Sequence, residues 1–409
     1  MQAHAKTAAL PRLTRLAGDP EDPSSRTRFA WRLAPYEWHF AALDGLRGFA
    51  ILLVFLYHCV TYGEWREPFT FGWCGIELFF VLSGFLITGL ILDAREEPHG
   101  LRNFYVRRAL RILPLYYTVL ALLYVSLALS GEFLGSKAVS GQVFFWAHLQ
   151  NLFVAYAGWP KPLTFSHFWS LGIEVQFYLL WPLVLRRAST RTALMACGAF
   201  ALLSFALRNA LPVTFPFSYT ATFTHLEGVM AGSALALGLR EHRARVGQLA
   251  PLACAVGGTG LAVLWLTRGG LHVADPLVMR YSYALFALFC GGVLAALLDR
   301  GRAGRWTRAF FERAPLRFLG RYSYGIFLIH WIVHLKLEQR LMESWSAWVG
   351  NAGAAAALAF LSQVVVTLVL SVASFHVIEE PFLRLKNVFA PRPRGVLTDL
   401  APSETRKSA

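Results

Sequence analysis

The feature that most constrains this chain is a succession of about eleven stretches of roughly 20 mostly apolar residues. They start near Ala42, Gly72, Ile112, Gln142, Trp169, Thr192, Thr220, Gly247, Arg280, Leu316 and Asn351, with basic, Pro or Gly punctuation between them. About 20 such residues are what an α-helix needs to cross the hydrocarbon core of a bilayer. The chain is 56% hydrophobic and only 15% charged, whereas soluble domains carry about 25% charged residues. The expected fold is an all-α, polytopic membrane bundle with the lipid bilayer as its solvent.

The formal charge of +15 lies in short runs between apolar segments, where the positive-inside rule puts basic residues, so it does not point to nucleic acid. An N-terminal tail bearing Arg12, Arg15, Arg26, Arg28 and Arg32 is placed in the cytoplasm. The loop after the first span then lies outside with Arg66, and Arg95, Arg102, Arg107, Arg108 and Arg111 lie inside. If Gln142 to Ala157 also crossed, Arg186, Arg187 and Arg191 would fall outside, followed by Arg240, His242, Arg243 and Arg245. If it does not cross, every basic cluster falls inside, including the run over 300–317 and Arg384, Lys386, Arg392 and Arg394. The same segment carries His148, Gln150 and Asn151, which are ill suited to lipid.

The sequence therefore predicts ten transmembrane helices, one re-entrant or interfacial element over 142–157, and both termini in the cytoplasm. A tail over 1–39 is expected to be disordered, a membrane domain to span 40–386, and a second cytoplasmic tail to cover 387–409. No secretory leader is evident, and no internal repeat of the kind found in many secondary transporters. Cys59, Cys74, Cys197, Cys254 and Cys290 have no metal-ligand spacing and read as small core residues, so no metal is expected.

Ionisable residues inside membrane spans are candidate functional groups by default. The first span reads Leu43-Asp44-Gly45-Leu46-Arg47-Gly48, then an apolar run, then Tyr57-His58. Eleven residues at about 100° each bring Arg47 and His58 to within about 20° of one face, about 16 Å apart along the axis. That face carries a cation at its inner end and, toward its outer end, an imidazole able to act as a base near neutral pH. The second span, Gly75-Ile76-Glu77-Leu78-Phe79-Phe80-Val81-Leu82-Ser83-Gly84-Phe85, has Glu77 near its outer end and Ser83-Gly84 where helices can approach closely. The third opens Arg107-Arg108-Ala109-Leu110-Arg111-Ile112-Leu113-Pro114, a guanidinium cluster suited to phosphate. The next true span opens Trp169-Ser170-Leu171-Gly172-Ile173-Glu174-Val175-Gln176-Phe177-Tyr178, with Glu174 and Tyr178 on one face. Ser323-Tyr324 and His330 come later, and for His330 a hydrogen-bonded bundle histidine is the plainer reading.

Taken in order and at these spacings, the segments resemble those of the integral-membrane acyltransferase family 3. The resemblance runs from about Phe40 to Lys386 and includes Leu319-Gly320, Ser323-Tyr324 with His330, and Glu379 with Pro381-Phe382. It implies an enzyme that moves acetyl or other short acyl groups from acyl-CoA to hydroxyls, commonly of sugars in surface polysaccharides or of macrolide-type products. It also implies that His58 matches the essential histidine and that Arg107, Arg108 and Arg111 match arginines associated with CoA. A second acid follows the Glu174 position in many members; here Val175 stands there.

Together these readings give an expected scheme in the cytoplasmic (inner) membrane. Acyl-CoA, by the resemblance acetyl-CoA, is the expected co-substrate, and no permanently bound cofactor is expected. Its phosphates dock on Arg107, Arg108 and Arg111, and its pantetheine arm passes Arg47 and Ser83-Gly84. His58 acts as general base, with Glu174 or Glu77 orienting it. Trp169, Ser170, Tyr178 and His330 face a carbohydrate or glycosylated acceptor. The competing reading is a transporter or flippase of a lipid-linked glycan, which would neither bind acyl-CoA nor release CoA.

Overall fold

The computed structural model describes residues 41–385, other than 61–67, 96, 132, 134, 212–214 and 300, together with residue 388. The tail predicted over 1–39 and nearly all of that over 387–409 lie outside the described residues, as does Arg66. Among the described residues there are helices and no β-strand. In chain order they are α1 (Ala41–Cys59), α2 (Cys74–Ala94), α3 (Gly100–Leu129), α4 (Lys137–Ser140), α5 (Gln142–Trp146) and α6 (Gln150–Ala157). A 3₁₀ turn (Leu163–Phe168) leads into α7 (Trp169–Leu185), then α8 (Thr190–Ala210), α9 (Phe215–Thr220), α10 (Glu227–Glu241), α11 (Arg243–Arg268) and α12 (Pro276–Leu298). The last are α13 (Arg302–Phe311), α14 (Ala314–Arg321), α15 (Ser323–Val349), α16 (Ala352–Ser374) and α17 (Glu380–Leu385), with a π-helical turn at Phe375–Glu379.

Eight helical stretches are long and apolar enough to cross a membrane: α1, α2, α3, Leu163–Leu185, α8, α11, α12 and Ala352–Leu385. The chain is an all-α polytopic membrane protein. The other two segments predicted to cross are α10 and α15. α10 has only 15 residues, because the chain enters it through a buried loop, and it packs against α2. α15 has 27 residues, but His330, His334, Lys336 and Glu338 interrupt its apolar run.

The segment 142–157 does not form one helix. It breaks at His148, which has a left-handed backbone (φ 55°), leaving helices of 5 and 8 residues that are too short to cross. Exposed backbone at membrane depth is costly, so the freed carbonyls need partners. Tyrosines of α3 supply them: Tyr116 donates to Phe145 O (2.8 Å) and Tyr117 to Trp146 O (3.0 Å), while Tyr124 donates to Ala138 O (3.1 Å) in the preceding α4. The polar side chains point into protein. Gln150 donates to Phe168 O (2.7 Å), Asn151 to Thr220 O (3.1 Å) and to Thr222 Oγ1 (2.8 Å), and Gln176 to Asn151 Oδ1 (2.7 Å).

Two close approaches fix the centre. Gly84 of α2 and Gly232 of α10 face each other's helices: a Cβ on Gly84 would lie 2.0 Å from Val229 O, and one on Gly232 would lie 1.9 Å from Val81 O. At the other contact, Cβ atoms on Gly45 and Gly48 of α1 would fall 1.6 Å from Phe311 O and 1.8 Å from Leu316 O. The Asp44-Gly45-Leu46-Arg47-Gly48 run thus lets α14 lie backbone to backbone on α1, with Arg47 directed elsewhere. Gly48→Leu is expected to destabilise the fold by about 3 kcal/mol or more, because backbone rather than a movable side chain opposes the new atoms. The yield of monodisperse protein and its melting temperature in detergent check this.

Arginines hydrogen-bonded to backbone carbonyls mark one end of the bundle, where Arg240 is also paired with Asp93. Arg95 donates to Ala188 O (3.3 Å), Arg240 to Gly89 O (3.0 Å) and Arg308 to Leu297 O (3.1 Å). At the opposite end Arg208 and Arg268 are each paired with an acid, Glu227 and Asp275. Asp275 also caps α12 through Leu277 N (2.9 Å) and Val278 N (3.1 Å). The hydrogen bond from Arg268 holds its carboxyl below the usual carboxylate range.

Candidate active site

Among the polar side chains inside the bundle, two groups hold most of the residues singled out in the sequence. The first lines a cavity toward the arginine-rich end. α1 contributes Arg47, α2 contributes Ser83, and α3 contributes Arg108 and Arg111. α7 contributes Ser170, Glu174 and Tyr178, and α15 contributes Ser323, Tyr324 and Phe327. Helical spacing accounts for each set: 170, 174 and 178 recur every four residues, and 108 and 111 are three apart. The hydroxyls of Ser83 and Tyr178 both donate to the Glu174 carboxylate, and they lie 3.1 Å from each other. The guanidinium of Arg108 sits 5.9 Å from the Tyr178 ring centre and 6.0 Å from that of Phe104. Arg47 also lies 3.6 Å from Asp44. Glu379, presented by the π-helical turn, is buried. Tyr324 donates to Ile112 O (2.6 Å), tying α15 to α3 beside the arginines.

The second group lies toward the other end. His58, at the end of α1, is half-buried, and its ring centre is 4.7 Å from that of Trp331 and 5.1 Å from that of His330. Trp331 is pinned by Nε1–H bonds to Leu163 O (3.1 Å) and Ser166 Oγ (3.0 Å). His167 interacts with Leu328 O (3.1 Å), and its ring centre is 5.7 Å from that of His330. Phe327 links the two groups. It lines the arginine cavity, and its ring packs on His330 and His167 at 6.1 and 5.6 Å between centres.

Several sequence expectations change in three dimensions. Neither carboxylate expected to orient His58 is its partner. Glu77 is buried and accepts from His225 Nε2–H, because the loop 222–226 tucks that ring against α2. Glu174 is turned to Ser83 and Tyr178 in the cavity. Arg107 does not line the cavity: α3 buries Phe104, Ile112 and Leu115, and that stripe carries Arg108 and Arg111 inward. Gly84 faces α10 and serves packing, so of the Ser83-Gly84 pair only Ser83 reaches the cavity. Trp169 is 5% exposed and packed among Tyr219, His225 and Phe80, so a sugar stacking on it would have to displace those rings. Tyr178 is similarly occupied, by Glu174 and Arg108. His330 is fully buried beside His58.

The sequence reading missed two buried polar pairs, the His225–Glu77 hydrogen bond and the Arg208–Glu227 ion pair. The signal was present in His225-Leu226-Glu227, ionisable residues at the mouth of an apolar run, and in Arg208 within another. Among the described residues no cluster of His, Cys, Asp and Glu is arranged to hold a metal ion.

Comparison with known proteins bears on what such an arrangement does. The chain is 28% identical over 378 residues to the peptidoglycan O-acetyltransferase OatA of Listeria monocytogenes, covering 87% of this chain and 56% of that protein. It is 25% identical over 394 residues to the O-acetyltransferase OatA of Staphylococcus aureus, covering 87% of this chain and 60% of the other. The chain thus spans a little over half the length of these relatives. No solved structure matches it. A family model described as an acyltransferase domain matches residues 40–376, which is most of the 409-residue chain, and contains every residue of both polar groups except Glu379. The chain therefore belongs to the integral-membrane acyltransferase family.

Proposed function

We propose that this protein is a membrane O-acyltransferase that moves an acetyl or other short acyl group from acyl-CoA to a hydroxyl of a cell-surface carbohydrate. The observation that carries the donor assignment is the cavity in which Arg47, Arg108 and Arg111 converge on a throat of Ser83, Glu174 and Tyr178. Guanidinium groups bind phosphate by charge and by paired hydrogen bonds. Glu174 repels phosphate from the deeper part, while hydroxyls near it suit the amides of a pantetheine arm. Acyl-CoA has this order of groups: phosphates at one end, amides in the middle and thioester at the other. By the positive-inside rule the arginine end faces the cytoplasm, where acyl-CoA is made, and both tails lie on that side. The His58 end faces outward, where His58 serves as general base toward the acceptor. The relatives named as peptidoglycan O-acetyltransferases support a glycan acceptor. A transporter of lipid-linked glycans could also place arginines against phosphate, but it would neither bind acyl-CoA nor release CoA.

Calorimetric titration of acetyl-CoA into the protein in nanodiscs tests the donor assignment without knowledge of the acceptor. Saturable binding is expected, weakened at least about 100-fold in the Arg108→Ala/Arg111→Ala double variant, because each charge-assisted contact contributes about 1.5–3 kcal/mol. Folded protein that binds neither acetyl-CoA nor longer acyl-CoAs would end this reading in favour of transport.

A further inference from the structure

The hydrogen bonds around His330 determine where its protons lie, and through them the state of His58. His330 Nδ1 lies 2.8 Å from Phe327 O and 3.0 Å from Ile326 O. Carbonyl oxygens only accept, so this nitrogen carries a hydrogen. The ring is fully buried, packs against Phe55 and Phe327, and has no carboxylate among its hydrogen-bond partners. A charge there would have nothing to pair with, so the ring is neutral and its Nε2 holds a lone pair. That Nε2 lies 3.0 Å from His58 Nδ1. A hydrogen bond between two nitrogens needs one donor, and His330 has none left on this side. His58 Nδ1 must therefore carry the hydrogen, and the basic lone pair of His58 is on Nε2.

We propose that His330 is a positioning residue that fixes His58 in its Nδ1–H tautomer and presents Nε2 as the base. It does for His58 what a carboxylate does in a hydrolase triad, but as a neutral acceptor. This rests on the reading of His58 as the general base. In the transfer step the acceptor oxygen bonds to the acyl carbon while its proton moves to His58 Nε2, and the thioester C–S bond breaks. The proton then passes from Nε2 to the leaving sulfur, giving ester and free CoA thiol. While His58 carries the extra proton, its Nδ1–H remains bonded to His330 Nε2, which stabilises the imidazolium. Trp331 holds the imidazole from its side, so the ring has one orientation in which both bonds form. A role for His330 in acceptor binding, expected from its place in the sequence, does not fit a ring with no exposed surface and both nitrogens engaged.

Two measurements test this. Solid-state ¹⁵N NMR of histidine-labelled protein in liposomes, with His58 assigned by its loss in His58→Ala, reads the tautomer with no substrate present. Neutral His58 is expected to show a protonated Nδ1 and a bare Nε2. His330→Gln, whose side-chain oxygen can accept in place of Nε2, should preserve that pattern, and His330→Phe should abolish it. In acetyl transfer from acetyl-CoA to soluble peptidoglycan fragments, His330→Phe is expected to lower kcat about 100-fold with KM for acetyl-CoA unchanged, and His330→Gln to recover most of the loss. A protonated Nε2 on His58 in the parent chain overturns the proposal, as does a folded His330→Phe variant with unchanged tautomer and kcat. The NMR result does not depend on the reaction, so it separates this proposal from the acyltransferase reading, which the acetyl-CoA titration tests.

Discussion

Replacing His58 with alanine is expected to lower acyl transfer about 10²–10⁴-fold, the range over which a positioned general base contributes. Acetyl-CoA affinity is expected to stay within about threefold of the parent chain. The separation follows from the layout: the arginines line a cavity that does not include His58, and Phe327 stands between the two groups. A donor-binding residue would change affinity first. His58 is half-buried at a helix end and lies beside Trp331, so its truncation removes little packing, and the stability lost should be about 1–3 kcal/mol, the cost of leaving the buried His330 Nε2 without a donor. Single-turnover transfer with acetyl-CoA, together with calorimetry on the same preparation, measures both quantities. Normal transfer by a folded His58→Ala protein would remove His58 from the chemistry.

The second large effect concerns stability. Glu227→Leu is expected to destabilise the protein by about 3–5 kcal/mol, the cost of leaving a buried charge without its partner. Arg208 is fully buried, and Glu227 is its only carboxylate partner among the described residues. The guanidinium also donates to Thr224 O (2.5 Å) and lies 4.5 Å from the Tyr283 ring centre, and Ser204 donates to Glu227 Oε2 (2.8 Å). These contacts hold the guanidinium in place, so it cannot swing to water when the carboxylate is lost. The double change Arg208→Met/Glu227→Leu should recover most of the stability, since replacing both partners by apolar groups leaves no buried charge. Unfolding by SDS titration in mixed micelles compares the three proteins. Equal stability of the single and double variants would show that the pair is not an electrostatic unit.

The length of the apolar runs made the helices legible, and the placement of basic clusters together with polarity made the non-crossing segment legible. His148, Gln150 and Asn151 identified 142–157 as a stretch unfit for lipid, and the structure buries Gln150 and Asn151 in hydrogen bonds to other segments. The pairing of side chains across the chain was not legible. His58 and His330 are 272 residues apart, and Glu77 and His225 are 148 apart. Helical spacing reports which residues share a face of one helix, and carries nothing about which face of another helix meets it. Two carboxylates at a depth similar to an imidazole therefore suggested the wrong partners. Arg107 and Arg108 differ by one position, and the choice between them rests on which stripe of α3 is buried, which Phe104, Ile112 and Leu115 decide.

The placement of Phe327 bears on the membrane itself. A protein that hands an acyl group from one face of a bilayer to the other contains a passage through the insulating layer, and any passage wide enough for a thioester also admits water and protons. In this structure the Phe327 ring lines the arginine cavity and also packs on His330. On the proposed reading, the acyl group must pass Phe327, so the same side chain is part of what keeps water and protons from crossing.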